Sequence, residues 1–403
     1  MRSFCVPRRA IALFAVLAVF GTVSVAASAA DTYKIGIDLP TSGADASDGV
    51  PTKNGALLAI DDANAKGLPG GITLQAEPLD DAVQGVHDPA QGAQNLKTFA
   101  ADPSVVGVVG PFNSNVARAE IPVSNDAGLA LVSPSNTNDG LTIGEGAKAL
   151  RTSHPDEITY FRVCTRDQNQ GAAGADLAKS LGFKKAYVVD DNETYGKGLA
   201  DVFDKDFRAG GGTILGHDHL TKNQQDFKAL LTKIKATNPD VVYFGGVTAT
   251  GGGLLRRQMG DAGMSNVPYI GGDGISDTEF LKDAGALANN SYYTVAAPDA
   301  SKLPSAAAFN KEYKAKFGSD PGAYSASAYA AALVIINAVK EAAANGGVTR
   351  ANVLKYVAAT KGLPTPIGAV GFDKNGDTTN PVISEYKIVG GKPQFLKQIS
   401  VKT

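Results

Sequence analysis

The 403-residue chain contains no tryptophan and only two cysteines, while glycine is abundant. This composition favours tightly packed helices and many turns, with few large aromatic anchors. Cys5 precedes the apolar run near the N-terminus, so Cys164 is the one cysteine expected in the processed chain. A lone cysteine excludes an internal disulfide, and we expect Cys164 to be a buried small hydrophobe. The hydrophobic cores must then stabilise the fold without a covalent cross-link.

The sequence also lacks a strongly basic stretch, with 38 Lys and Arg residues against 40 Asp and Glu residues. This balance argues against nucleic acid as a partner. Hydrophobic residues at 43% and charged residues at 19% describe an ordinary globular protein. The length suits two domains, each with its own core.

Signatures of catalysis and metal binding are scarce. No Gly-x-Ser-x-Gly elbow occurs, and among four histidines His87 and His154 have no recognisable triad context. His217 and His219 share one face of a predicted strand, because strand side chains alternate. A metal site would need a third ligand, and the sequence offers no obvious one. We therefore predict no catalytic residue, no metal and no cofactor.

The N-terminus has the pattern of an export signal. Three arginines within the first nine residues precede an apolar run over residues 10–25, and the small residues Ala26-Ala-Ser-Ala-Ala30 follow. We predict a secretory signal peptide over residues 1–30, cleaved after Ala29 or Ala30. The apolar run is shorter than the ~20 residues that a spanning helix needs. An uncleaved anchor is the alternative, and the sequence leaves Sec and twin-arginine export open.

From Asp31 onward, strand-length apolar runs alternate with helix-length segments. Such alternation indicates βαβ units and parallel sheets, hence an α/β fold. The pattern restarts near residue 160, and the helices after residue 300 are too many for the second half alone. We therefore predict two α/β lobes with a ligand cleft between them. The first comprises residues 31–161 plus 292–366, and the second residues 162–291 plus 367–403.

Two strand-to-loop junctions are the most informative segments. Val105-Val-Gly-Val-Val-Gly-Pro-Phe-Asn-Ser114 and Leu129-Ala-Leu-Val-Ser-Pro-Ser-Asn-Thr137 each begin as a buried strand and end in small polar residues. Ligands of open parallel sheets bind beyond the carboxyl ends of the strands. Neither junction carries a nucleophile with a base. We predict a site that binds one small polar molecule without reacting with it.

Three further loops contain polar residues that could bind a ligand or a metal ion. The loop from Gly43 to Gly49 has the wrong spacing for a dinucleotide or phosphate loop, so we expect its polar residues, Asp48 among them, to lie near the cleft. Gly271-Gly-Asp-Gly274 places Asp273 at a strand end, where its carboxylate would pair with a ligand ammonium. Asp373-Lys-Asn-Gly-Asp377 departs from calcium-loop spacing. It predicts a hairpin turn between residues 370–372 and 382–386.

Taken in order, Gly-Pro-Phe-Asn-Ser, Ser-Pro-Ser-Asn-Thr, Asp191-Asn-Glu-Thr-Tyr-Gly-Lys-Gly198 and Gly-Gly-Asp-Gly resemble the leucine/isoleucine/valine-binding family. This family comprises type I periplasmic solute-binding proteins of ABC importers. The resemblance extends from Tyr33 to Asp377. It implies a two-lobed periplasmic-binding-protein type I fold, with the lobes joined by three hinge crossings and closing on an amino acid like a Venus flytrap.

The resemblance also implies roles for individual residues. Three hydroxyl groups of the first lobe would hold the α-carboxylate and part of the ammonium: Ser114, Ser135 and Thr137. From the second lobe, Tyr195 and Asp273 would close on the ligand, with Asp273 accepting from the ammonium. The walls around the ligand side chain would be Phe112 and Tyr324.

The chain departs from the family pattern at several positions. Asp48 occupies a position where a ligand-facing tyrosine often lies, and Val247 falls near another aromatic wall position. Val83 and Asn113 replace the two cysteines of the family's first-lobe disulfide. A carboxylate at Asp48 favours a polar or cationic ligand group over a bare aliphatic chain. The resemblance as a whole implies that the ligand is an amino acid, branched-chain or related, or a small amide.

The resemblance therefore implies an extracytoplasmic, periplasmic binding protein that delivers an amino acid to the permease and ATPase of an ABC importer. We expect the protein to act as a monomer and not as an enzyme. Two alternatives stay open from the sequence: a ligand-sensing receptor of the same fold, and a secreted α/β hydrolase.

Overall fold

Two mainly parallel β-sheets form the framework of the protein. The computed structural model describes residues 1–5 and 31–401, so most of the predicted signal peptide lies outside the described residues. The strands are β1 (Thr32–Leu39), β2 (Thr73–Asp80), β3 (Ala82–Val83), β4 (Val86–His87), β5 (Val105–Val109), β6 (Ala130–Ser133), β7 (Tyr160–Arg162), β8 (Lys185–Asp190), β9 (Thr213–His219), β10 (Val241–Gly245), β11 (Tyr269–Gly271), β12 (Ser291–Val295), β13 (Leu363–Thr365), β14 (Gly368–Val370), β15 (Val382–Val389) and β16 (Lys392–Ser400).

Helices flank both sheets. They are α1 (Ala46–Lys66), α2 (Pro89–Ala101), α3 (Ser114–Ala127), α4 (Gly144–Ala149), α5 (Asp167–Ser180), α6 (Thr194–Ala209), α7 (Lys228–Thr237), α8 (Gly252–Asp261), α9 (Thr278–Ala284), α10 (Ala307–Phe317), α11 (Ser325–Ala344) and α12 (Arg350–Ala358).

The first sheet has the strand order β2-β1-β5-β6-β7, and every neighbouring pair is parallel. Its central strand β5 reads Val-Val-Gly-Val-Val and is buried throughout. A continuous apolar run of this kind suits a parallel strand that is covered by helices on both faces. The α/β fold predicted from the alternating pattern is confirmed.

The second sheet has the order β16-β15-β12-β11-β10-β8-β9. It is parallel from β12 to β9, whereas β15 and β16 add an antiparallel edge. A short hairpin can supply that edge because antiparallel strands need no helical crossover. The second sheet is therefore of mixed type.

The helices that follow residue 300 return to the first sheet, as predicted. Helix α11 packs against α1, β5 and β6, and α12 packs against β5. Among the described residues, α11 is the one helix long and apolar enough to cross a membrane, but 72% of its apolar window is buried inside the protein. Its burial against the first sheet explains its composition as that of a core helix.

Two expectations from the sequence need correction. The division of lobes placed residues 292–366 in the first lobe, but β12 pairs with β11 and β15 in the second sheet, so the return to the first sheet comes after Val295. The residues 373–377 do form a turn, closed by the bond from the Asp373 amide to the Asp377 carbonyl. An antiparallel bridge joins Phe372 to Thr378 across this turn, whereas β15 pairs with β12 and β16. The hairpin turn is therefore confirmed, but the predicted second flank, residues 382–386, is wrong.

Cys164 is buried, as expected, and its thiol donates to the carbonyl of Asn136 at 3.1 Å. Burial raises the pKa of the thiol, which keeps it protonated and unreactive. Cys5 is exposed at the N-terminus, so the two described cysteines form no disulfide.

A buried ion pair links the first sheet to the turn at Asp377. Arg162, at the end of β7, is fully buried, and its Nε lies 2.6 Å from Asp377 Oδ1. One terminal nitrogen donates to the carbonyls of Asn136 at 3.1 Å and Asn138 at 2.8 Å, and the other donates to the Thr142 hydroxyl. The guanidinium thus fixes the backbone of the loop that contains Ser135 and Thr137.

We predict that Arg162→Met lowers the free energy of unfolding by about 3 kcal/mol, because it strands a buried carboxylate and several buried acceptors. This loss is at the low end of the range for breaking a buried ion pair, because Arg166 Nε also lies 3.4 Å from Asp377 Oδ2 and can still pair with it. Urea unfolding measures the change. The control is Lys148→Met, which removes an exposed pair with Glu145 and should cost less than about 1 kcal/mol. Equal losses in both variants would contradict this assignment.

Candidate functional site

The carboxyl ends of β5 and β6 meet on one edge of the first sheet because the two strands are parallel neighbours. The Ser135 hydroxyl donates to the Phe112 carbonyl at 2.9 Å, and the Asn136 side-chain amide donates to the same carbonyl at 2.6 Å. Ser133 Oγ in turn accepts from the Asn136 amide at 2.9 Å. The structure therefore brings the two junctions singled out in the sequence into direct contact.

The same edge presents polar groups with unused hydrogen-bonding capacity. The side chain of Thr137 is buried, and its hydroxyl has no close hydrogen-bond partner among the described residues. It lies near enough to the Asp167 carboxyl to oppose the raised pKa of that group, of which burial is the main cause. Ser114 is also buried and is the first residue of α3, and the N-cap Asn113 makes no side-chain bond to the helix. In the first turn of α3, the Val116 amide already donates to Asn115 Oδ1 at 3.0 Å. The N–H groups before it, together with the helix dipole, favour an anion. This edge can accommodate a carboxylate.

Asp273 lies in the second lobe, directly after β11. Its side chain is buried, and Oδ1 accepts from the Tyr195 hydroxyl at 3.1 Å and from the Gln170 side-chain amide. Burial raises the pKa of Asp273 to about 6, while the bonds from Gln170 and Tyr195 and the nearby Tyr324 hydroxyl favour the ionised form. A buried carboxylate without a cationic partner is suited to an ammonium group.

Two aromatic rings form a wall beside these groups. Phe112 and Tyr324 pack edge to face, with ring centroids 5.7 Å apart and an interplanar angle of 86°. Phe112 follows β5, and Tyr324 precedes α11. Both rings are buried, and the proximity of Asp273 contributes to the raised pKa of Tyr324, of which burial is the main cause. The wall therefore lies next to the carboxylate of the opposite lobe.

Sequence reasoning missed the contribution of α5. Gln170 donates to Asp273 and also to the Thr294 carbonyl at 3.0 Å, which orients its amide. Asp167 is buried, its amide donates to the Thr137 carbonyl at 2.7 Å, and its Oδ1 has no partner among the described residues. The polar run Thr165-Arg-Asp-Gln-Asn-Gln170 is separated from the end of β7 by two residues, but nothing local indicates that it faces Asp273.

Asp48 lies half-buried in the first turn of α1, near the acidic side chains of both lobes. Burial raises its pKa well above the ordinary aspartate value, and repulsion from Asp277, Asp45 and Asp273 raises it further. Asp277 accepts from Thr248 Oγ1 at 2.5 Å and from Ser47 Oγ at 3.2 Å. Among the described residues, no lysine or arginine pairs with Asp48 or Asp277, so this end of the cleft is acidic.

The two lobes touch across the cleft. The imidazole of His87 lies between Asp45, 2.9 Å from Nδ1, and Glu193 of the second lobe, 2.7 Å from Nε2. Asn115 donates to the same Glu193 carboxylate at 2.9 Å, and Asn138 donates to the Thr194 carbonyl at 2.8 Å. The structure is therefore a closed form.

A cavity of about 360 Å³ opens at the rim of the cleft, between residues such as Val86, Glu193 and Thr250. None of the eight residues predicted to contact the ligand lines it. Seven of the eight are buried, and Asp48 is half-buried. These residues therefore lie in the interior of the protein, and their contact with a ligand stays a prediction.

Comparison with known proteins bears on this arrangement. The periplasmic binding protein family model matches residues 32–392. The chain belongs to this family. It is 37% identical over 363 residues to the Leu/Ile/Val-binding protein BraC3 of Rhizobium johnstonii, covering 89% of this chain and 92% of the relative. A Leu/Ile/Val-binding protein homologue of Brucella melitensis is 34% identical over 381 residues, covering 94% and 98% respectively.

A solved structure of a substrate-binding protein has a similar fold. The branched-chain amino acid transporter substrate-binding protein of Streptococcus pneumoniae, solved with isoleucine, has a TM-score of 0.79 and 27% sequence identity. The match covers 93% of this chain and 100% of that chain. The two-lobed type I fold implied by the sequence motifs is confirmed.

We predict that closure of the lobes weakens as pH rises. The carboxylates of Asp45 and Glu193 outweigh burial and raise the pKa of His87 well above its ordinary value of 6.5. Asp81 and Asp191 also lie near His87. Opening removes Glu193, so the closed form holds the proton more tightly. The stabilisation is complete below the pKa of the open form and is lost as pH rises through the higher pKa of the closed form.

Ligand affinity measured by calorimetry across neutral and alkaline pH checks this prediction. Affinity should fall with rising pH by at most about tenfold per pH unit, since one proton is linked. His87→Gln keeps a hydrogen-bonding side chain but cannot titrate, so the slope should flatten. An unchanged slope in this variant would assign the pH dependence to another group.

Proposed function

We propose that the protein captures an amino acid between its lobes and delivers it to the membrane permease of an ABC importer. One observation carries the proposal. The α3 N-terminus and the buried Thr137 hydroxyl lie in the first lobe, and the buried carboxylate of Asp273, which has no cationic partner among the described residues, lies in the second. The first group suits a carboxylate and the second an ammonium, so together they complement the constant part of an amino acid.

In this proposal, each predicted residue has a defined task. Ser114 and Thr137 receive the α-carboxylate. Ser135 already donates its hydroxyl to the Phe112 carbonyl and its amide to Ser133 Oγ, so its hydroxyl oxygen would accept from the ammonium instead. Tyr195 and Gln170 position Asp273 for the ammonium. Phe112 and Tyr324 contact the ligand side chain.

Binding of this kind works by shifting an equilibrium between open and closed lobes. A ligand that contacts both lobes binds the closed form better, and its differential affinity sets the extent of the shift. Contacts such as His87 with Glu193 add to the stability of the closed form. The closed shape would be the form that the permease recognises.

The proposal includes an extracytoplasmic location after removal of residues 1–30, action as a monomer, and an ATPase that powers transport. The family and the amino-acid-binding names of the relatives support the transport role. We propose that no reaction occurs in the site. The hydrolase alternative receives no support from the described residues, since the ring nitrogens of His87, His217 and His219 contact carboxylates and none contacts a serine hydroxyl.

Calorimetry tests the ligand prediction. The protein is unfolded to release any bound ligand and refolded, and it is then titrated with the standard amino acids and small amides. We expect saturable 1:1 binding of at least one α-amino acid and no binding of its decarboxylated amine, because the carboxylate contacts would be lost. Failure of every member of the panel to bind would reject the proposal.

Asp273→Asn should weaken binding of that amino acid at least tenfold, because it removes the charge opposite the ammonium while preserving shape. The matched control is Asp156→Asn at an exposed aspartate, which should leave the dissociation constant unchanged. Circular dichroism of the ligand-free variants verifies folding. An unaltered dissociation constant in Asp273→Asn would remove this residue from the site.

Asp48→Leu should shift selectivity towards aliphatic ligands. An aliphatic side chain cannot compensate a carboxylate excluded from water, whereas a cationic or hydrogen-bonding side chain can. We expect the ratio of the leucine dissociation constant to that of a polar amino acid to fall at least fivefold in the variant. Asp156→Leu serves as the control, and an identical ratio in wild type and Asp48→Leu would show that Asp48 does not contact the ligand side chain.

A further inference from the structure

His217 and His219 lie on β9, the edge strand of the second sheet, beside the last residue of β8. The register of the β8–β9 pair places Asp190 opposite His219 and Val188 opposite His217. Because strand side chains alternate, the two imidazoles share one face, and Asp218 between them projects to the other, where it binds Lys233 and Tyr187. Tertiary structure thus adds Asp190 to the two histidines.

The three side chains converge closely. His217 Nε2 and His219 Nδ1 each lie 2.8 Å from the Asp190 carboxylate. The three candidate ligand atoms all lie within 4.8 Å of one another. The Asp190 side chain is fully buried, that of His217 is 18% exposed and that of His219 is 45% exposed. The cluster is therefore anchored on its inner side and open to solvent on its outer side.

A second carboxylate supports the inner histidine. Asp204 on α6 lies 3.5 Å from His217 Nδ1, the ring nitrogen that faces away from Asp190. Histidines that bind metals commonly donate their other N–H to a carboxylate, which fixes the tautomer and the ring orientation. Asp204 also accepts from Arg208 Nε through Oδ1 at 2.5 Å, and its Oδ2 is the oxygen that faces His217.

We propose that Asp190, His217 and His219 form a binding site for a divalent transition-metal ion of the zinc type. Two imidazole nitrogens and one carboxylate oxygen, with an open position for water, match the ligand set that Zn²⁺ takes in sites with three protein ligands. Calcium and magnesium prefer oxygen ligands, so this set selects against them. None of the three residues belongs to the proposed amino-acid site.

On binding, the metal ion takes the place of the two hydrogens that lie between the histidine rings and the Asp190 carboxylate. In the metal-free protein, both ring nitrogens that face Asp190 bear hydrogens and donate them to its carboxylate. On binding, the hydrogen of His217 moves to Nδ1, which then donates to Asp204, and that of His219 moves to its outer nitrogen. Tetrahedral bonds of about 2.0–2.1 Å separate ligand atoms by about 3.3 Å, so each ring shifts outward by roughly half an ångström. The exposed His219 has space for that movement.

The test uses the processed protein without a polyhistidine tag, treated with a chelator and dialysed. Calorimetric titration with ZnCl₂ should show one saturable site, and Co²⁺ should give the visible absorption of a four-coordinate ion. His217→Gln and His219→Gln should each weaken Zn²⁺ binding at least tenfold, and Asp204→Asn about tenfold through the orientation of His217.

The matched control is His154→Gln, since this histidine is exposed and its recorded contacts are made by its backbone. It should retain the wild-type dissociation constant. Absence of saturable Zn²⁺ binding to the wild type overturns the proposal, as does equal affinity in the His219→Gln variant, whose exposed position makes misfolding an inadequate explanation. Amino-acid affinity of His219→Gln should equal that of wild type, so the test is independent of the transport proposal.

Discussion

The structure depends above all on the buried guanidinium of Arg162. It occupies the end of β7, where the chain leaves the first sheet, and it joins the loop at Asn136–Asn138 to the turn at Asp377. A buried charge requires partners on every side, so the elements that supply them are held in one arrangement. The same bonds hold the backbone carbonyls on either side of Thr137. The charge of Arg162 therefore fixes both the position of the Asp377 turn against the first sheet and the backbone of the loop at the candidate site.

Across the cleft, the lobes differ in electrostatic character. The first lobe offers a helix N-terminus and hydroxyl groups, whereas the second offers Asp273 and Asp167 in buried surroundings. Burial raises the pKa of both aspartates, although hydrogen bonds from protein groups oppose the shift. Among the described residues, no lysine or arginine forms an ion pair with either carboxylate. In the proposed function, the ammonium of a zwitterionic ligand would supply the positive charge that these carboxylates lack, so closure and ligand recognition would occur together. The acidic end around Asp48 and Asp277 would then select the ligand side chain.

Much of this could be predicted from local sequence. Apolar runs such as Val105–Val109 identified the buried strands, and the small polar residues after them marked the strand ends that meet at one edge of the first sheet. Gln170 and Asp167 were missed because nothing local indicates that the start of α5 faces Asp273, which lies 103 positions from Gln170. The lobe boundary was misplaced at β12, since an apolar strand carries no mark of the sheet that it joins. The sequence likewise did not indicate Asp190 as a partner of the histidines, because only the pairing of β8 with β9 brings them together.

The sequence by itself determined the α/β class, the strand ends that bear polar groups, and the absence of disulfide cross-links, because each depends on residue type and short-range spacing. Only the tertiary structure decided which strand ends face each other, which carboxylates lose their solvent, and how His87 bridges Asp45 to Glu193. Burial and charge pairing arise from contacts between distant segments. A carboxylate that reads as an ordinary aspartate along the chain becomes a binding group when the fold excludes water from it.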